Sequence, residues 1–145
     1  EWDRVLWQVD AIMEGGNHKK YVLGFSNGGF FATYLATHGF FPAQAYAIVN
    51  AGPLGPIQKP AKPPAMMLLS AQDDAAQGPQ MKTLHEELAK ISWPHAYCAR
   101  PGAHALAQAD VSAALAFFKG EGGSQRCEGG TSEAAPAAPA PPSKK

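Results

Sequence analysis

A serine stands between two glycines at Gly24-Phe25-Ser26-Asn27-Gly28. The spacing is G-x-S-x-G, preceded by the β-prone run Tyr21-Val22-Leu23 and followed by a helix-like pattern. A strand that turns sharply into a helix at this spacing holds the serine hydroxyl outside the sheet, where it is exposed to attack a carbonyl. Glycine on both sides is expected because a Cβ at either position would collide with the turn. The amides of the following helix suit the negative charge that develops on an attacked carbonyl oxygen, and the backbone N–H of Asn27 is the nearest of them. The plainer alternative is a glycine-rich turn whose serine simply caps the helix. A serine nucleophile also needs a base, and the base needs a carboxylate to hold its tautomer. Two further loops offer these groups: Asp73 and Asp74 after one apolar run, and His104 after another.

The elements that must position these residues follow from periodicity. Trp2, Val5, Leu6, Val9, Ile12 and Met13 recur at helical spacing, and Gly15-Gly16-Asn17 ends that helix. Residues 20–25 read as a buried strand, 29–38 as a helix stopped by Gly39, and 43–51 as a second strand. A proline-rich connector at 52–64 leads to a third strand at 65–70. Met81, Leu84, Leu88 and Ile91 mark a helix with His85 on its polar side. Residues 93–99 form a fourth strand, and 106–119 a last helix with Val111, Leu115 and Phe118 on one face. This order predicts an α/β fold with a parallel sheet. The connector at 52–64 barely supplies the dozen residues that a parallel crossover needs. In such a sheet ligands bind off the C-terminal strand ends, and Ser26, Asp73/Asp74 and His104 all leave those ends.

Composition narrows the function classes. Twelve Lys and Arg balance twelve Asp and Glu in 145 residues. That balance gives no bulk-charge signal for a nucleic acid or a membrane surface. No apolar run approaches the roughly 20 residues of a membrane-spanning helix. Cys98 and Cys127 have no metal-ligand spacing, and no metal is expected. Cys98 reads as a small buried hydrophobe, with a Cys98–Cys127 disulfide left open for an exported protein. His18, His38, His85 and His95 read as structural or solvated. Residues 120–145 are dominated by Gly, Ala, Ser and Pro and are expected to form a disordered tail, leaving 1–119 as the folded domain.

With these residues in view, the chain resembles the C-terminal half of an α/β-hydrolase. Gly24-Phe25-Ser26-Asn27-Gly28-Gly29 is similar to the nucleophile elbow of feruloyl esterase, polyhydroxybutyrate depolymerase-like and dienelactone hydrolase-like enzymes. Leu68-Leu69-Ser70-Ala71-Gln72-Asp73-Asp74 resembles the family's acid segment, with Ser70-Ala71 where His-Gly is usual. Asp74 falls at the acid position and Asp73 is the alternative. Pro101-Gly102-Ala103-His104 resembles the loop that carries the base. The resemblance covers residues 1–119 and implies a three-layer, parallel-sheet α/β-hydrolase fold, incomplete at the N-terminus. It implies a serine ester hydrolase working through an acyl-enzyme, with Ser26, His104 and Asp74 as catalytic residues, Asn27 supplying an oxyanion amide, and no cofactor. It places the second oxyanion donor in a loop after an earlier strand, outside this chain.

The implied partners are a small-molecule or polymeric ester, with no nucleic acid and no membrane span. A missing N-terminal segment or an oligomeric contact is expected to cover the edge of the strand before Ser26. The proline-alanine tail and the esterase resemblance lean toward a secreted or periplasmic location. Two alternatives remain at this stage. One is a peptidase, acyltransferase or thioesterase with the same three residues. The other is a truncated or degenerate module without catalysis.

Overall fold

The computed structural model describes residues 18–120, the helical residue Gln8 and the backbone of residues 131–134. The remaining positions of the helix expected at the N-terminus lie outside the described residues, as does Cys127. The described elements run β1 (Tyr21–Phe25), α1 (Asn27–His38), β2 (Ala45–Val49), β3 (Ala65–Ala71), α2 (Gly78–Lys90), β4 (His95–Arg100), α3 (Gln108–Phe118) and β5 (Thr131–Ala134). They form one sheet in the order β1-β2-β3-β4-β5. The first four strands are parallel, in registers such as Phe25↔Val49, Val49↔Leu69 and Leu69↔Cys98. The four strands and three helices expected between residues 20 and 119 are therefore all present. The connector between β2 and β3 is long enough to keep the pair parallel without a helix of its own.

Alternation along the central strands builds two apolar layers. Tyr46 and Ile48 of β2 and Met66 and Leu68 of β3 face one side. There they pack with Ala32 and Leu35 of α1 and with Met81, Leu84 and Leu88 of α2. Ala47, Val49, Met67 and Leu69 face the other side, with Cys98 and with Ala114 of α3. Both faces of β2 are buried throughout, which is why it reads as an unbroken apolar run rather than an alternating one.

Three expectations need correction. The inner face of α3 is set by Asp110, Ala114, Phe117 and the expected Phe118, whereas Leu115 is 53% exposed. Small alanines let the helix approach the sheet, and the Asp110 carboxylate is buried because the Arg100 guanidinium grips both its oxygens at 2.5 Å. His85 is not on a solvated face. It is buried against His95, 2.9 Å away, and its ring stacks on Tyr97. Cys98 is buried as expected and is disulfide-bonded, the alternative left open by the sequence. Finally, residues 131–134, inside the expected tail, form β5 and pair antiparallel with β4. The outer side of β4 would otherwise present a row of unpaired backbone groups, which such a segment can satisfy despite its polar composition.

Among the described residues β1 is the other edge of the sheet, and Tyr21 and Leu23 on it are 36% and 38% exposed. No helix among the described residues is long and apolar enough to cross a membrane.

Candidate functional site

The site stands where three connections leave the C-terminal ends of parallel strands. Ser26 occupies the single residue between β1 and α1, with φ 53° and ψ −123°. Such a backbone is strained for a residue with a Cβ and persists only where its surroundings impose it. Two hydrogen bonds do so here. The Ser26 N–H donates to the Val49 carbonyl at 3.0 Å, and the Ser26 carbonyl accepts from the Phe30 N–H at 3.0 Å.

Glycine is needed at the turn, but not at both expected positions. A Cβ on Gly24 would lie 2.4 Å from the Gly28 carbonyl oxygen and 2.9 Å from the Ala32 Cβ. At Gly28 it would meet nothing within 4 Å, because that residue faces solvent on the first turn of α1. The second close approach is at Gly29, where a Cβ would fall 2.6 Å from the Ala51 Cβ. The steric role expected of Gly28 therefore belongs to Gly29, which sits between α1 and the end of β2.

Ser26 is the residue preceding α1, yet its side chain makes no capping hydrogen bond. Its Oγ lies 2.9 Å from His104 Nε2 instead. The opposite ring nitrogen, Nδ1, lies 2.5 Å from Asp74 Oδ2. A carboxylate only accepts, so His104 carries its proton on Nδ1, and Nε2 is left with a lone pair for the serine hydroxyl. The Phe25 ring flanks the imidazole, with centroids 5.0 Å apart. Ser26, His104 and Asp74 thus form one hydrogen-bonded chain, although they are far apart in the sequence.

The electrostatics differ along that chain. The Asp74 side chain is 2% exposed and that of His104 38% exposed. Burial alone would raise the Asp74 carboxyl. The Gln77 N–H, the His104 hydrogen bond and charge, and the Ala76 N–H together outweigh it and hold Asp74 below the usual carboxylate range. A buried, ionised carboxylate beside Nδ1 fixes the tautomer and would stabilise an imidazolium.

Asp73, the alternative acid, is turned elsewhere. Its Oδ2 accepts the Gly102 N–H at 3.1 Å and its own N–H donates to the Gly102 carbonyl at 3.0 Å. The two adjacent aspartates divide the work: Asp74 meets the imidazole, and Asp73 clasps the loop that carries it. The Asn27 N–H opens α1, and the geometry of a helix leaves first-turn amides without intrahelical acceptors. Among the described residues no group of three or more His, Cys, Asp or Glu is placed to hold a metal ion.

Sequence reasoning missed Asn50. It was legible only as the last polar residue of an apolar strand, yet it is fully buried with φ 46°. Its Oδ1 accepts the Ala71 N–H at 2.7 Å and its Nδ2 donates to the Ala105 carbonyl at 3.2 Å. An asparagine in a strand-to-loop position, tolerant of a left-handed backbone, was the available signal.

No family model matches the sequence, and no curated protein matches it. Solved structures do resemble the fold. The chain is similar to the crystal structure of esterase PE8, with a TM-score of 0.65 and 20% identity, covering 82% of this chain and 58% of that one. It is also similar to an alpha/beta hydrolase enzyme from a Medee basin deep-sea metagenome library, with a TM-score of 0.58 and 24% identity. That match covers 72% of this chain and 48% of the other. S-formylglutathione hydrolase from Staphylococcus aureus matches at a TM-score of 0.53 and 13% identity, over 82% and 58% of the two chains. The chain therefore spans about half the length of the structures it matches, and the fold is the parallel-sheet α/β-hydrolase fold they share.

Proposed function

We propose that the chain carries the catalytic residues of a serine hydrolase that cleaves carboxylic esters through an acyl-enzyme. The single observation that carries this reading is the continuous Ser26–His104–Asp74 hydrogen-bonded chain at the C-terminal rim of the sheet, with Ser26 in a left-handed turn. Ser26 Oγ attacks the ester carbonyl while His104 Nε2 takes its proton. Asp74 holds the Nδ1 proton and stabilises the imidazolium. The oxyanion of the tetrahedral intermediate accepts the Asn27 N–H. His104 then protonates the departing alcohol, and water, activated by the same nitrogen, releases the acid and restores the serine. The proton transfers use Ser26, His104 and Asp74, which are already hydrogen-bonded to one another, and no step requires a metal or an organic cofactor.

Short acyl or aryl esters, free or on a polymer, are the proposed substrates. The connector between β2 and β3 contains no helix or strand that would lie over Ser26, which supports an open site. The esterase among the fold neighbours supports ester cleavage over peptide cleavage. A further segment or a second chain is proposed to cover the β1 edge, which carries half-exposed Tyr21 and Leu23. The test is hydrolysis of p-nitrophenyl esters of increasing acyl length, with Ser26→Ala as the control. Activity greatest on acetate and butyrate and abolished by Ser26→Ala is expected. Activity that rises with chain length overturns the substrate class, and activity that survives Ser26→Ala overturns the mechanism.

A further inference from the structure

The three limbs of the site meet at one point, Val49-Asn50 at the end of β2. The Val49 carbonyl accepts the Ser26 N–H. The Asn50 Oδ1 accepts the N–H of Ala71, the last residue of β3, from which the turn to Asp74 departs. The Asn50 Nδ2 donates to the carbonyl of Ala105, the residue after His104. The Asn50 backbone is pinned as well, its N–H donating to the Leu69 carbonyl at 3.0 Å.

The His104 loop has few other supports. His104, Ala105 and Leu106 are all exposed and belong to no helix or strand. Besides Asp73 on Gly102, the loop is held by Arg100, whose Nη2 donates to the same Ala105 carbonyl at 2.9 Å and whose Nη1 donates to the Pro101 carbonyl at 3.1 Å. Arg100 is itself fixed by Asp110. Of the donors to Ala105, only the Asn50 amide is fully buried and joined to the strands that carry the serine and the acid.

We propose that Asn50 is a positioning residue for His104, setting the imidazole between Ser26 and Asp74 by tethering the backbone that follows it. This rests on the serine hydrolase reading. The amide is suited to the task because one side chain supplies both an acceptor for Ala71 and a donor for Ala105, in a left-handed backbone that asparagine tolerates. A displacement of about 1 Å between reacting groups costs on the order of 100-fold in rate, so a tether of this kind acts on rate before it acts on folding.

Asn50→Asp separates the two bonds. It keeps the acceptor for Ala71 and, when ionised, removes the donor to Ala105. Asn50→Gly keeps the left-handed backbone at no steric cost, removes both bonds, and carries the test if the buried carboxylate prevents folding. The first readout is the rate at which a fluorophosphonate labels Ser26. The second is the downfield proton resonance of His104 Nδ1. Labelling is expected to slow about 10- to 100-fold in either variant. In a His104→Ala background the same substitutions should change the residual labelling by less than about twofold, because their effect passes through the imidazole. The Nδ1 resonance should shift or broaden.

Equal slowing with and without His104 would mean a general structural role and overturn the proposal. So would unchanged labelling with an unchanged resonance. If the unmodified chain is not labelled at all, the hydrolase reading fails, and the resonance alone decides whether Asn50 holds the imidazole.

Discussion

Strand β4 has a histidine at one end and a loop histidine just beyond the other, and the two are arranged alike. His104 has Nδ1 on Asp74 and Nε2 on Ser26. His95 has Nδ1 on the Trp93 carbonyl at 2.7 Å and Nε2 on His85 Nδ1 at 2.9 Å. Each ring is gripped from both sides, yet only one grip has the parts for proton transfer. The Trp93 carbonyl is neutral and cannot stabilise an imidazolium as a carboxylate does. Burial and the neighbouring His85 push the His95 pKa down, although hydrogen bonds to the backbone resist this. The partner of His95 is a second imidazole rather than a nucleophile. A two-sided grip therefore orients a histidine but gives it no chemistry. Under the proposed function the carboxylate, the hydroxyl and access to solvent do that, and in a parallel sheet they gather at the C-terminal strand ends.

The sharpest break of this comparison is to truncate each histidine. His104→Ala is expected to lower ester hydrolysis by about 10,000-fold or more, with little change in thermal stability. His95→Ala should do the reverse, lowering stability through a buried cavity while leaving turnover per folded molecule within about threefold. Comparable losses of turnover in both would remove the distinction.

The paired aspartates give the next largest contrast. Asp74→Asn is expected to cost about 10,000-fold in kcat by favouring the wrong tautomer of His104. Asp73→Asn, which only loosens the Gly102 turn, should cost less than about tenfold. Reversal of the two would assign the acid to Asp73.

The elbow glycines follow. Gly24→Ala and Gly29→Ala should each destabilise the fold by about 1–3 kcal/mol in urea unfolding, because backbone or the Ala51 Cβ must move. Gly28→Ala meets open space and should be close to neutral for stability. A cost at Gly28 equal to that at Gly24 would restore the symmetric view of the motif.

The smallest effect concerns pH. The folded-state pKa of His95 is depressed, so the unfolded chain binds the proton more readily. The stability this represents is fully present above the unfolded value of about 6.5 and is lost as pH falls below it. Thermal unfolding between about pH 7 and 5 should show this decline, and His95→Gln should flatten it. Asp74 adds a separate loss at lower pH. Its depressed carboxyl contributes stability above about pH 3.9 that disappears as pH falls through its lower folded value. An unchanged decline in His95→Gln would assign it to other groups.

Much of this molecule was legible in the sequence because its signals are local. The apolar run before Ser26, the helical spacing of Met81, Leu84 and Leu88, and the stop at Gly39 each specify an element through nearest-neighbour chemistry. The meeting of Ser26, Asp74 and His104 was legible only because the loop positions follow parallel strand ends, and choosing Asp74 over Asp73 there leaned on the resemblance. What escaped was set by contacts distant in sequence. The buried face of α3 is decided by the pairing of Asp110 with Arg100, against a periodicity that favoured Leu115. His85 is buried because Tyr97 and His95 on β4 accept it. Gly28 stood in the motif and drew the steric argument that belongs to Gly29. Asn50 was invisible because both its side-chain partners lie more than 20 residues away.

The most direct test of the proposed hydrolase is to expose the folded chain to a fluorophosphonate and map the modified residue by mass spectrometry, beside His104→Ala. Modification at Ser26 that drops by at least about 1000-fold without His104 is the expected result. A folded chain that stays unmodified at Ser26, or is modified equally well without His104, would contradict a nucleophile and base working together there.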